Sequence, residues 1–101
     1  MNWRVVSRPE TENDVIEIAA WYNSRGEGLG DRFIAVLSVL DELELNPLLH
    51  CRRHPCKNIR WRYPRTFPYR IIYEVLHEER TVVVAAVLHA ARHDREWKRR
   101  V

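Results

Sequence analysis

Cysteine is scarce in this sequence, with two residues in 101, and no apolar run approaches the ~20 residues that span a bilayer. The opening MNWRVVSRPE lacks the apolar core of a secretory signal. These absences predict a cytoplasmic protein with reduced thiols, no disulfide framework and no membrane association. Acidic side chains are missing altogether between Glu44 and Glu74. Internal repeats and low-complexity tracts are absent too. So are a Walker loop, a dinucleotide fingerprint, a Ser-His-Asp order and a paired-carboxylate motif, which removes the common signatures of nucleotide-cofactor and hydrolase chemistry.

What is present describes a small globular chain. Hydrophobic residues make up 46% and charged residues 31% of the 101 positions, a composition that supports a core and points to one domain over residues 1–101. Charge is polarised along the chain: residues 1–45 carry a net −5 and residues 46–101 a net +8. Arg52, Arg53, Lys57, Arg60, Arg62, Arg65 and Arg70 all fall in the acid-free stretch. Such a half suits a polyanion or an acidic partner protein, or else forms a solvated rim.

The clearest local pattern lies between Phe67 and Arg92. Tyr69, Ile71, Tyr73 and Val75 alternate with Arg70, Ile72, Glu74 and Leu76, the period of a strand, and Thr81 to Leu88 is an unbroken β-branched and apolar run. The charged link His77-Glu78-Glu79-Arg80 makes the pair a hairpin. Its second strand, apolar on both faces, belongs in the middle of a sheet. Upstream, Trp3 to Val6 reads as an edge strand, and Ser7 with Glu10 has capping-box spacing with Pro9 in the first helical turn. Val15, Ile18, Ala19 and Tyr22 form one stripe of a first helix that Gly26 and Gly28 stop. Leu29, Phe33, Val36, Leu37, Leu40 and Leu43 form the face of a second helix, four turns long and closed by Asn46-Pro47. Ile34, Val39 and Leu45 lie off that face as extra apolar surface. Residues 47–58 read as loop, Ile59 to Tyr63 as a strand, and the end as a short helix from about Ala90 or a tail. The expected class is therefore α+β in the order β-α-α-β-β-β, a helical hairpin on a mostly antiparallel four-stranded sheet.

Several groups of residues carry possible chemistry. His50, Cys51, His54 and Cys56 are four soft-metal ligands, but zinc sites usually join two ligand pairs a dozen or more residues apart, so these read as incidental loop residues and no metal is expected. Arg60, Arg62 and Arg65 interleave with Trp61 and Tyr63, the composition of a phosphate-binding or nucleic-acid surface. Strand alternation, however, sends arginines and aromatics to opposite faces, which makes Trp61 a core residue and leaves the arginines for phosphate or acidic side chains. Tyr69, Tyr73, His77, His89 and His93 are the candidate acid–base groups. His89, closing the apolar strand, is the most suggestive, with a hydrogen-bonded structural role as its alternative.

Together the element order, the segment Phe67-Pro68-Tyr69-Arg70-Ile71-Ile72-Tyr73-Glu74-Val75 and the ending Ala86-Val87-Leu88-His89-Ala90-Ala91-Arg92 resemble the RelE/ParE superfamily of type II toxins, plasmid-stabilisation proteins among them. Trp21-Tyr22, Leu29-Gly30-x-Arg32-Phe33, Leu43-x-x-Asn46-Pro47, and Trp97 with Arg100 extend the likeness over nearly the whole chain. The resemblance implies a growth inhibitor neutralised by a cognate antitoxin, without cofactor. RelE-like members cleave mRNA in the ribosome; ParE-like members act on DNA gyrase and are not nucleases. For the RelE-like activity it implies Arg70 and Arg92 as charge-stabilising catalytic residues, with Arg60 and Arg62 on the preceding strand. His89 or His93 would move the proton. The tail departs from that pattern, with Trp97 and Lys98 where RelE-like chains often have a tyrosine. That departure shifts the expectation to a ParE-like, non-enzymatic toxin, with the ribosome-dependent nuclease and a non-toxic basic module for RNA or protein as alternatives.

Overall fold

The computed structural model describes residues 2–64, 66–90 and 95–101, with the side chains of Val39 and Glu96 left aside. Arg65, Arg92 and His93 thus lie outside the described residues. The elements are β1 (Arg4–Ser7), α1 (Pro9–Arg25), α2 (Leu29–Val36), a 3₁₀ segment (Leu37–Glu44), β2 (Ile59–Arg62), β3 (Tyr69–Leu76), β4 (Thr81–His89) and a short α3 (Arg95–Lys98). The expected α+β order is borne out, with a four-stranded sheet ordered β1-β4-β3-β2. β4 is central. It pairs in parallel with β1 and antiparallel with β3, which pairs antiparallel with β2.

Local chemistry accounts for most boundaries. α1 begins at Pro9, whose missing N–H falls where a helix has no acceptor, and Glu10 and Glu12 sit in the first turn against the helix dipole. The expected Ser7 cap is corrected: Ser7 closes β1, and the cap position belongs to Arg8, without a side-chain hydrogen bond. The strand wins Ser7 because its backbone continues the ladder opposite Val84. The helices turn at Gly28, whose φ of 79° favours glycine. Helix two also differs from expectation, since α-helical bonding stops at Val36 and the chain tightens to 3₁₀ through Glu44. Leu43 nevertheless reaches the core through that tighter winding, and Leu45 stays exposed.

Gly30 lets the two helices meet closely. A Cβ there would collide with the Ala19 carbonyl oxygen and lie 2.6 Å from Asn23 Cγ. Instead the Gly30 N–H donates to Asn23 Oδ1 at 2.8 Å, satisfying one of the orphan amides of the helix start.

The sheet buries apolar side chains on both faces. Against the helices pack Ile71, Tyr73, Val75, Val82, Val84 and Val87 with Ala19, Phe33 and Leu43. Tyr22, Phe33, Phe67 and Tyr69 close one end of that layer as an aromatic cluster, with ring centroids 5.0–6.3 Å apart. On the other face Ile59, Ile72, Ala86 and Leu88 are covered by Trp97, and Trp61 and Val101 pack beside them. A bulge between Ile72 and Tyr73 leaves Ala85 as the extra residue of β4, so both faces of β4 stay apolar across the shift. No helix among the described residues is long and apolar enough to cross a membrane.

Candidate functional site

Sheet register decides which basic side chains can act together. Arg60 pairs with Tyr73 and Trp61 with Ile72, so Arg60 and Arg62 face the helical layer while Trp61 faces the layer of Trp97. Arg70 alternates with Ile71 and therefore shares the Trp61 face. Among the described residues, the candidate arginines are split: Arg60 and Arg62 project from one side of the sheet and Arg70 from the other.

On the helical side Arg60 and Arg62 are held by polar partners. Arg60 donates through Nη1 to the carbonyls of Leu48 (2.8 Å) and His50 (2.5 Å) and through Nε to Asn58 Oδ1 (2.9 Å). Arg62 forms an ion pair with Glu42 at the end of the 3₁₀ segment and stands 3.3 Å from His50 Nε2. Tyr73 hydroxyl donates to the Pro47 carbonyl at 3.0 Å, and burial pushes its pKa up to about 12. Together these bonds pin the loop 47–58 to the sheet. His50 is held below its ordinary pKa by burial first, then by the Arg62 and Arg60 charges, with Glu42 opposing.

Within that loop, Arg52 donates to the carbonyls of His54, Pro55 and Lys57 at 3.0–3.1 Å, and His54 Nδ1 accepts the N–H groups of Cys56 and Lys57. His54 is thereby committed to the backbone. Cys51 and Cys56 are exposed free thiols. Among the described residues no three His, Cys, Asp or Glu side chains converge as ligands for a metal ion.

Across the sheet a different surface appears. The guanidiniums of Arg53 and Arg70 stand 4.9 and 5.0 Å from the Trp61 ring centroid, and Trp97 meets the same ring edge-on at 6.0 Å. Arg70 is only 5% exposed, so its charge is held against the ring rather than extended into water. Trp61 is half-buried, and so is both a wall of the second core and a partner for cations. A cleft of about 420 Å³ runs from this ring past Arg53, Tyr63 and Leu49 and around the edge strand β2 to Arg62 and His50 of the helical side. Arg53 was legible only as one charge in the acid-free stretch, because a loop residue has no period to show where it points.

His89 lies on the other side. It sits at the exposed end of β4 against the ring of Tyr69, 5.3 Å between centroids, facing α1. Arg70 and His89, joined in the sequence reading, are therefore on opposite faces, and Arg60 and Arg62 are separated from Arg70 in the same way. Arg65 and Arg92 lie outside the described residues. In the tail Trp97 is buried, with its indole N–H lacking a hydrogen-bond partner among the described residues.

The fold is that of a known toxin class. The chain is similar to a double arginine-to-alanine mutant of the E. coli toxin RelE in the free state, with 16% identity, a TM-score of 0.64, and coverage of 99% of this chain and 94% of that one. It is likewise similar to the isolated E. coli RelE toxin, with 17% identity, a TM-score of 0.58, and coverage of 96% and 94%. No curated protein matches it in sequence. The family model for the ParE toxin of type II toxin-antitoxin systems matches residues 5–94, and the chain belongs to that family within the RelE/ParE superfamily. Family membership implies a cognate antitoxin as partner.

Proposed function

We propose that residues 1–101 act as one cytoplasmic toxin unit that inhibits growth by binding DNA gyrase, without catalysing a reaction. One observation carries this reading: among the described residues, the groups a phosphodiester-cleaving site would need are dispersed. Arg70 lies on one face of the sheet, and His89, Arg60 and Arg62 on the other. Arg60 and Arg62 are moreover engaged by loop carbonyls and Glu42, which suits a structural task. General acid–base catalysis requires donor and acceptor within reach of one substrate atom. A surface that binds another protein has no such requirement. The buried Trp97 in the tail fits the same reading, since an indole has no proton to exchange near neutral pH.

A second reading, ribosome-dependent mRNA cleavage, is favoured by the Arg53–Trp61–Arg70 stack, because guanidinium and indole together suit phosphate and base. Purified protein separates the two. Gyrase inhibition with intact ribosome-bound mRNA supports the first; codon-boundary cuts, slowed on the order of 10²-fold or more by Arg70→Ala, support the second. Growth arrest on induction, relieved by coexpressing an adjoining small open reading frame, tests the toxin reading itself. Unimpeded growth at verified soluble expression contradicts both.

A further inference from the structure

Among the described residues, no strand lies beside the outer edge of β4 beyond Val84. β1 covers Thr81 to Val84 and ends at Ser7, whereas β4 runs on to His89. Two side chains stand where a neighbouring strand would be. Asp14 Oδ2 accepts the Val87 N–H at 3.0 Å, and Arg100 Nη1 donates to the Ala85 carbonyl at 3.1 Å. They also bind each other, at 2.7 and 3.2 Å, from positions 86 residues apart. In a parallel ladder one residue of the neighbour gives its N–H to the carbonyl of residue i and accepts the N–H of residue i+2. The Asp14–Arg100 pair therefore imitates one peptide residue of a missing strand.

Beside that edge lies a cleft of about 410 Å³ between α1 and the end of the β3–β4 hairpin, lined by Asp14, Glu17, Ile18, Trp21, Tyr69 and His89. Trp21 is 50% exposed, and Glu17 has no ion-pair partner among the described residues. We propose that this edge is a strand-addition site for an extended segment of a partner protein. Its two residues facing α1, at positions i and i+2, are a large apolar side chain and a lysine or arginine. Strand alternation places such residues on one face, where the apolar group meets Ile18 and Tyr69 and the cation meets Glu17 and Asp14. The incoming main chain takes over the Val87 N–H and the Ala85 carbonyl, releasing Asp14 from Arg100. Charge selects the segment: Asp14 and Glu17 line the cleft, and release of Asp14 from Arg100 leaves both carboxylates to the incoming strand. The Glu17 end therefore favours a cation over the acidic segment that the basic sheet face draws, while Arg25 lies over Trp21 at the other end. The site is independent of whether gyrase or the ribosome is the target.

The test uses the full chain and two blocked heptapeptides of threonine in which the third and fifth residues, which share one face of a strand, are leucine and lysine in one and leucine and glutamate in the other. By nuclear magnetic resonance, the lysine peptide shifts the Glu17 and Val87 signals and slows exchange of the Val87 amide severalfold. Arg100→Gln, freed of the clamp, binds it severalfold more tightly. Equal response to both peptides overturns the proposal, as does no response at Val87 with saturating lysine peptide in either protein. Dimerisation of Arg100→Gln that protects Val87 without peptide also overturns it, by making a second copy the occupant. Because Arg100 is partly buried, the exposed Glu17→Gln is a second variant: folded and severalfold weaker for the lysine peptide is expected, and unchanged affinity contradicts the site.

Discussion

Arg60 and Arg70 sit on adjacent strands of one sheet and point to opposite faces. Arg60 turns toward the helical layer, where two loop carbonyls take its guanidinium, and Arg70 lies against Trp61 on the other side. Arg60 thereby anchors a loop, and Arg70 is buried against an aromatic ring.

Replacing Arg60 tests the structural half. Arg60→Ala strips the carbonyls of Leu48 and His50 of their donor and loosens loop 47–58 from β2. Urea unfolding should show a loss of about 1–3 kcal/mol, the usual order for hydrogen bonds made by a charged group. Toxic activity per folded molecule should hold. A selective loss of activity at unchanged stability would return Arg60 to the functional surface.

Helix contact makes a second prediction. Gly30→Ala forces a Cβ against the Ala19 carbonyl and Asn23, both part of α1. The helices must separate, and thermal unfolding should register a loss of about 1–3 kcal/mol, as overpacking commonly does. An unchanged melting temperature would mean that the hairpin packs more loosely than described.

The Asp14–Arg100 pair makes a third. Both side chains are largely buried, 13% and 19% exposed, and each also serves the β4 backbone. Asp14→Ala leaves Arg100 and the Val87 amide without their partner, and a loss of about 3 kcal/mol is expected by denaturant unfolding. A double-mutant cycle with Arg100→Gln should show strong coupling. Additive effects would deny the pair.

Acid should weaken the anchored loop through His50. Its folded pKa lies below 6.5, so its contribution is fully present above 6.5 and is lost as pH falls toward the lowered value, where the unfolded chain binds a proton that the folded one resists. The urea midpoint of the wild type should drop on acidification more than that of His50→Gln. An equal drop in both would assign the pH dependence to other groups.

Much of this fold could be read directly because its signals are periodic. The alternation of Tyr69 to Leu76 and the apolar run of Thr81 to Leu88 found the central hairpin, and the stripe of Val15, Ile18, Ala19 and Tyr22 found the packed face of α1. Alternation even separated Trp61 from Arg60 and Arg62. It could not say which face the helices cover, and that choice determines which arginines become structural. Arg60 finds its carbonyls 10 and 12 residues away in an aperiodic loop, and Asp14 finds Arg100 at the far end of the chain. The bulge at Ala85 left no trace in a run where every residue is apolar. The Ser7 cap failed because strand pairing with Val84 outweighs a local hydrogen bond.

The central claim is that this ParE-family chain acts by binding and not by cleavage. Purified protein incubated in parallel with gyrase on relaxed plasmid and with ribosomes on a defined mRNA tests it most directly. The account predicts loss of supercoiling with full-length mRNA; codon-boundary cuts with supercoiling intact would contradict it.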